Sequence, residues 1–210
     1  MVGDDTLANL GDVVLEPEHV GYLGVPILRP SPASQDLLGE HLFGNGPRRQ
    51  SCITTLDVSV VVNAANETLL GGGGVDGAIH QAAGPELKTY CAKLGGCRTG
   101  EARLTPGFGL VPPWIINTVG PVWKGGSAGE AALLQCCYEN CFALALDAGL
   151  ASIAFPAIST GVFGYPKVDA AAIAVSVMCQ HQGQFERIVA CCFSESDAQD
   201  YRALLTGSSV

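Results

Sequence analysis

The chain has 210 residues, of which 48% are hydrophobic and 15% charged, so it is long enough to bury a sizeable core and too apolar to be disordered. Its 27 glycines occur in short clusters without a fixed period, which excludes a collagen-like repeat. The 11 Lys and Arg residues are outnumbered by 20 Asp and Glu residues, and the net charge is -9. We expect no nucleic-acid partner, because phosphate contacts require an excess of cations.

The sequence also leads to predictions about cellular location and about bound metals. No apolar run approaches the roughly 18 residues of a membrane span, and the start MVGDDTLANLGD lacks the regions of a signal peptide. We therefore expect an intracellular, cytoplasmic protein without a membrane partner, or a nuclear one if the source is eukaryotic. The nine cysteines lie in apolar segments such as LLQCCYENC, which favours reduced, buried thiols over disulfides or metal ligands. We expect no metal and no cofactor.

Residues 1–50 differ from the rest of the chain. Five prolines and scattered glycines interrupt every helical or alternating period there, which predicts an irregular N-terminal extension. The segment VGYLGVPIL is the one stretch of this region with the composition of a strand.

From residue 57 onward, short β-branched runs alternate with amphipathic helical patterns, as in βαβ units. Strands are predicted over residues 57–62, 101–105, 114–119, 152–155 and 187–193, and helices over 75–83, 86–94, 130–148, 167–181 and 196–205. The loop between the second and third strands is too short for a parallel crossover, so this pair should be antiparallel. The predicted fold is α/β, a three-layer α/β/α sandwich with a mixed, mostly parallel sheet. We place one domain at 51–206 and a tail at 207–210.

Two glycine-containing loops follow predicted strands at the edge where α/β sheets bind ligands. Gly71 to Gly74 precede one helix, and Ser159-Thr160-Gly161 precede another. Because glycine exposes backbone N–H groups and a helix start adds unpaired donors, two facing loops of this kind would clamp a diphosphate. Gly72, Gly74 and Gly77 also form a G-x-G-x-x-G pattern, but it does not directly follow its strand, as a dinucleotide fingerprint must.

Four polar residues near the first loop are candidates for chemistry. Asn63 and Asn66 lie where an apolar strand ends, and we expect Asn63 to brace the loop through backbone hydrogen bonds and Asn66 to meet ligand hydroxyls. Asp76 and His80 are four residues apart and share one helix face. The alternative for this pair is an Asp that caps the helix beside an ordinary surface His.

Four segments, VVNAANETLLGGGGVDGAIHQAAGPEL, CRTGEARLTPGF, IINTVGPVW and SIAFPAISTGVFGYP, together resemble a macrodomain of the MacroD type. The resemblance runs from about residue 53 to residue 205. It implies the three-layer fold and a ligand, ADP-ribose, that is free or attached to a protein. It also implies a mono-ADP-ribosyl hydrolase that removes single ADP-ribose units from protein Asp/Glu esters and deacetylates O-acetyl-ADP-ribose. The expected partners are ADP-ribosylated proteins or O-acetyl-ADP-ribose, and we expect a monomer.

The same resemblance implies a role for each matching residue. It places the catalytic carboxylate at Asp76, with Asn66 on the distal-ribose hydroxyls and His80 in the catalytic set. The residues implied to bind the ligand are Ile53, Asn63, Gly72, Gly73, Gly74, Val75, Ser159, Thr160, Gly161, Val162, Phe163 and Phe193. Within this set, Phe163 would pack on the distal ribose and Phe193 would stack on adenine.

The chain departs from the family pattern before the first site loop. Ser51-Cys52-Ile53-Thr54 stands where the family has Gly-Asp-Ile-Thr, so the carboxylate that would accept from the adenine amino group is missing. Upstream, HLFGNGPRRQ replaces an apolar strand. Two other functions therefore stay open, a reader module that binds ADP-ribose without turnover and a degenerate domain that serves as an interaction scaffold.

Overall fold

A computed structural model describes residues 23–26 as backbone and residues 53–207 with side chains. In chain order its strands are β1 (Leu23–Pro26), β2 (Val60–Ala64), β3 (Ala102–Pro106), β4 (Trp114–Thr118), β5 (Ser152–Pro156) and β6 (Arg187–Cys192). Its helices are α1 (Gly74–Ala83), α2 (Pro85–Leu94), α3 (Glu130–Asp147), α4 (Lys167–His181) and α5 (Glu195–Thr206). Short 3-10 turns lie at Ile53–Thr55 and Gln182–Gln184.

The strands form one mixed sheet in the order β1-β6-β5-β2-β4-β3. The four inner strands are parallel to one another, whereas β3 pairs antiparallel with β4 and β1 pairs antiparallel with β6. The α/β class and the predicted antiparallel pair are therefore confirmed. The strand expected within VGYLGVPIL is present as β1, at one edge of the sheet.

Helices cover both faces of the sheet. In β2, Val60 and Val62 belong to the core cluster shared with α3, α4 and α5, whereas Val61 belongs to the cluster shared with α1 and α2. Because successive strand side chains point to opposite faces, this arrangement makes both faces apolar. It accounts for the continuous VVV run in the sequence. An antiparallel sheet with one solvent-exposed face would show alternating apolar and polar residues instead.

The predicted helix bounds lie within one residue of those observed, and the differences at two strand ends have local causes. Strand β2 begins at Val60 and not at residue 57, because Asp57 is exposed and Val58 N donates to Leu56 O in a turn. Strand β6 ends at Cys192, since Ser194 caps α5 by accepting from Asp197 N and turns the chain out of the sheet.

The structure also bears on the expectations about the cysteines and about membrane-spanning helices. None of the eight described cysteines forms a disulfide with another described residue. Six of them are buried as expected, whereas Cys136 is exposed and Cys179 is partly exposed. Within residues 53–207 no helix is long and apolar enough to cross a membrane. Cys52 and the segment HLFGNGPRRQ lie outside the described residues, and the domain bounds at 51 and 206 stay predictions.

Phe155 lies at the centre of the larger core, with its ring centroid 5.2 Å from that of Tyr138 and 4.9 Å from that of Phe142. We expect Phe155→Ala to lower the free energy of unfolding by about 3–5 kcal/mol, because it leaves a cavity among fully buried rings. Leu146→Ala, at a 40% exposed position of α3, should change it by less than about 1 kcal/mol. Chemical denaturation measures both, and equal losses would contradict this view of the core.

Candidate ligand-binding and catalytic site

A cavity of about 350 Å³ opens at the carboxyl ends of the four parallel strands. Each strand contributes a residue just at or beyond its end, namely Ala65 after β2, Gly120 after β4, Pro156 at the end of β5 and Phe193 after β6. The volume lies in the range of about 300–1,000 Å³ typical of small-molecule sites. The fold therefore places one cavity where an open α/β sheet is expected to bind a ligand.

The two predicted loops form the two sides of this cavity. The residues of the predicted set that line it are Gly73, Gly74, Val75, Ser159, Thr160, Gly161, Val162, Phe163 and Phe193. Val162 is fully exposed and Phe193 is 56% exposed, so apolar side chains at the rim are accessible to a ligand. The structure thus brings together residues about ninety positions apart in the sequence.

Helix N-termini give the cavity a positive character. Helix α1 begins at Gly74, with Gly73 as an N-cap that offers no side-chain acceptor to the first N–H groups. Gly74 has φ of +61°, a left-handed conformation that favours glycine. The first residue of α4, Lys167, also lines the cavity, as does Asp197 in the first turn of α5. Three helix N-termini meeting at one cavity favour an anionic ligand.

Ser159 is unusual in both backbone and side chain. It has φ of +67° although it is not glycine, and its Oγ is buried without a hydrogen-bond partner among the described residues. The loop holds this conformation through Tyr165 N, which donates to Ser159 O, and Thr160 Oγ1, which donates to Ala157 O. A strained backbone and an unpaired buried hydroxyl in a cavity wall are typical of a ligand site.

Asp76 is anchored by a buried chain of amides. Asn63 Nδ2 donates to Asp76 Oδ1 at 2.7 Å and to Asn117 Oδ1 at 3.0 Å, and Asn117 Nδ2 donates to Thr105 Oγ1 at 3.1 Å. This series of hydrogen bonds joins β2, β4 and β3, so the sheet fixes the position of the Asp76 carboxylate in α1. Asn63 therefore binds side chains and not the backbone, and the N-cap of α1 is Gly73 and not Asp76.

The electrostatics of Asp76 follow from this position. Asp76 is only 3% exposed, and burial raises the pKa of its carboxyl above the ordinary value, against the lowering effects of the Asn63 hydrogen bond and of His80. His80 Nε2 lies 3.5 Å from Asp76 Oδ1 and makes no hydrogen bond to a described residue. A carboxyl group with a raised pKa is a better general base near neutral pH.

Gly72 marks the point where Asp76 and Asn66 approach each other. A Cβ built on Gly72 would lie 3.0 Å from Asp76 Oδ2 and 3.3 Å from Asn66 Nδ2. Glycine at this position therefore lets the loop backbone pack closely against a carboxylate oxygen and an amide nitrogen. Asn66 is held by its own hydrogen bonds, since Nδ2 donates to Gly71 O and Oδ1 accepts from Thr68 N and Thr68 Oγ1.

The remaining predicted residues do not line the 350 Å³ cavity. Ile53 and Asn63 are completely buried, Asp76 is 3% exposed and Asn66 is partly buried. Gly72 and His80 line a second cavity.

Sequence analysis missed several lining residues. Ala65, Gly120 and Pro156 could have been found, because each stands at or next to the carboxyl end of a strand. The pair of Lys167 and Asp197 could not have been found, since the residues are thirty positions apart and meet only through the packing of α4 beside α5. Lys167 Nζ donates to Asp197 Oδ1 at 2.6 Å.

Comparison with known proteins identifies the class. A family model described as Macro domain matches residues 62–174, more than half of the chain. A macro domain-containing protein of Ralstonia nicotianae is 56% identical over 153 residues, which cover 73% of this chain and 90% of that protein. The chain belongs to the macro domain family.

Two further similarities are more specific. An O-acetyl-ADP-ribose deacetylase of Salmonella newport is 49% identical over 164 residues, covering 75% of this chain and 92% of that protein. A mutant of the Oceanobacillus iheyensis macrodomain solved with ADPR (ADP-ribose) is 43% identical, with a TM-score of 0.70, and the match covers 74% of this chain and 88% of that one. The resemblance to a MacroD-type macrodomain is confirmed.

Replacing Asn63 by Ala tests how the sheet controls Asp76. We expect the pKa of Asp76 to rise further, because the hydrogen bond that lowers it is lost while burial remains. The buried acceptors left unpaired should also cost about 1–3 kcal/mol of stability. An NMR titration of the Asp76 carboxyl measures the first effect and chemical denaturation the second.

The matched control is Asn140→Ala, which removes an amide hydrogen bond of 2.7 Å from Asn140 Nδ2 to Gly100 O, away from Asp76. The pKa of Asp76 should not change in this variant. If Asp76 titrated alike in the Asn63 and Asn140 variants, the hydrogen bond would have no control over the carboxylate.

Proposed function

We propose that this macro domain protein binds ADP-ribose in the 350 Å³ cavity and hydrolyses the ester that joins a single ADP-ribose to a protein Asp or Glu side chain, with O-acetyl-ADP-ribose as a second substrate. The observation that carries the proposal is the close approach of Asp76 Oδ2 and Asn66 Nδ2 at Gly72, next to a cavity where helix N-termini favour an anion. A deacetylase relative and a relative solved with ADPR support the choice of ligand.

The binding step uses backbone groups more than side-chain charge. The diphosphate lies between the two loops, where it receives N–H groups from the start of α1 and the hydroxyl of Ser159. Phe193 at the rim stacks on adenine, and Phe163 packs on the distal ribose. Lys167 is half-exposed and already paired with Asp197, so its charge contributes less than the loop donors do.

The chemical step places the ester in front of Asp76. Asn66 positions the ribose hydroxyls, and a water held between the diphosphate and the distal ribose attacks the ester carbonyl carbon while Asp76 takes its proton. Backbone N–H donors of the loops stabilise the charge that develops on the carbonyl oxygen. The bond from the carbonyl carbon to the ribose oxygen then breaks. The water's hydroxyl stays on the protein carboxyl group, and Asp76 returns the proton to the ribose oxygen of free ADP-ribose.

Asp76→Ala tests the catalytic role. We expect the rate of ADP-ribose release from a protein modified at Glu to fall by about 100-fold or more, the range for loss of a general base. Circular dichroism and thermal melting should show a folded protein, and Asp76→Asn, which preserves the size of the side chain, should show the same loss.

The control is Asp169→Ala, which removes an exposed acidic residue from the first turn of α4. Its turnover should match that of the wild type. If folded Asp76→Ala and Asp76→Asn proteins kept wild-type turnover, the proposed mechanism would be wrong. If both wild type and variants bound ADP-ribose without turnover, the protein would be a reader.

Gly73→Glu tests the place of the ligand. Gly73 has φ of -102°, and a Cβ there meets no atom within 4 Å, so the backbone accepts a side chain. The Glu would enter the cavity with a negative charge, and the dissociation constant for ADP-ribose should rise by about tenfold or more, which is about 1.4 kcal/mol. Calorimetry measures the affinity.

Gly183→Glu is the matched control, because Gly183 is also exposed, has no neighbour within 4 Å of a Cβ and lies away from the cavity. It adds the same charge and should leave the affinity unchanged. Equal affinities of the two variants would place the ligand elsewhere.

A further inference from the structure

A second cavity, of about 570 Å³, lies against the N-terminal half of the first glycine loop. Its walls include Leu70, Gly71, Gly72, Gln81, Gly84 and Lys88. The loop therefore serves two cavities, since Gly71 and Gly72 line this one while Gly73 and Gly74 line the first. The turn between α1 and α2 forms the far wall.

Gly72 links the second cavity to the proposed chemistry. Gly72 is the residue beside Asp76 Oδ2 and Asn66 Nδ2, and it is also part of the second cavity's wall. A substrate whose diphosphate lies against Gly73 and Gly74 and whose ester lies at Gly72 has its remaining part on the Gly71 side. That remaining part is the protein segment that carries the modified side chain.

The side chains that line this cavity offer apolar, polar and charged contacts, which suits a peptide ligand. Leu70 is 38% exposed and offers apolar contact, while Gln81 is exposed and offers an amide. Lys88 is exposed and forms no ion pair with any other residue of the described part of the chain. The chain carries a net charge of -9, which repels acidic peptides on average, so a cation at this position favours one orientation of such a peptide.

An exposed acidic group lies near Lys88. Glu86 is in the first turn of α2, and its Oε2 lies 2.9 Å from the point that a Cβ on Gly84 would occupy. Since Gly84 lines the cavity, Glu86 reduces the positive charge that Lys88 brings to this rim, whereas Asp76 and His80 lie at the wall formed by Gly72. Substitutions at Glu86 and Lys88 should act in opposite directions.

We infer that the second cavity binds the acidic protein segment around the ADP-ribosylated side chain, with Lys88 selecting Asp or Glu residues next to the modified one. This inference rests on the proposed function, because it takes the ester to lie at Gly72. It assigns the cavity to the protein part of the substrate and leaves the ADP-ribose site unchanged.

The test uses three probes with the full chain. They are free ADP-ribose, a short peptide joined to ADP-ribose through a non-hydrolysable oxime and flanked by Asp, and the same conjugate flanked by Ser. Calorimetry gives the dissociation constant of each probe for the wild type and the variants, with no dependence on turnover. We expect the wild type to bind the Asp-flanked conjugate about three- to tenfold more tightly than the Ser-flanked one, the range for one exposed charge pair.

Lys88→Glu should remove or reverse this preference, Gln81→Glu should weaken it, and Glu86→Gln should strengthen it. The control is Lys93→Glu, an identical charge change at an exposed position of α2 outside the cavity, which should preserve the preference. All four variants should bind free ADP-ribose as the wild type does.

Two results overturn the inference while the proposed function stands. One is equal affinity of the wild type for the two conjugates, and the other is an equal effect of Lys88→Glu and Lys93→Glu, with free ADP-ribose binding intact in each case. Failure of the wild type to bind free ADP-ribose would instead overturn the proposed function, and this inference with it.

Discussion

The hydrogen bond of 2.7 Å from Asn63 Nδ2 to Asp76 Oδ1 ties the central strand of the sheet to the first helix, and the candidate site depends on it. Because both groups are buried, either one alone would carry the cost of an unpaired polar group in the core. Paired, they fix where α1 begins relative to the end of β2. The glycine loop between them is then held at both ends, so its N–H groups keep one orientation.

This constraint also explains how an acidic protein can offer an anion site. The cavity has Lys167 as its only Lys or Arg among the described residues that line it, and that side chain is paired with Asp197. The favourable charge comes from helix N-termini and loop amides, which are fixed by the backbone and lose little entropy on binding. A net charge of -9 therefore does not argue against a diphosphate ligand.

Much of the fold could be predicted because its signals are local. Helix α4 begins and ends at the predicted residues, since a Pro precedes it and the apolar period stops after it. The antiparallel pairing of β3 and β4 followed from loop length alone. The predicted start of β2 was wrong because a turn lies at Asp57. The predicted end of β6 was wrong because Ser194 caps the next helix. Both depend on hydrogen bonds between specific backbone and side-chain atoms, which residue type alone does not determine.

The sequence by itself determined the fold class, the two loops and the candidate site residues Asp76, Asn66 and His80. Glycine clusters, strand ends and helix periods are local patterns that can be recognised in short segments. Tertiary structure alone decided that Asn63 binds Asp76, that Asn66 and Asp76 both approach Gly72, and that Lys167 meets Asp197. It also decided that His80 lies on the wall of a second cavity. These relations join residues on different elements, and their distances are set by how the helices pack on the sheet, a property of the whole core that no short segment encodes.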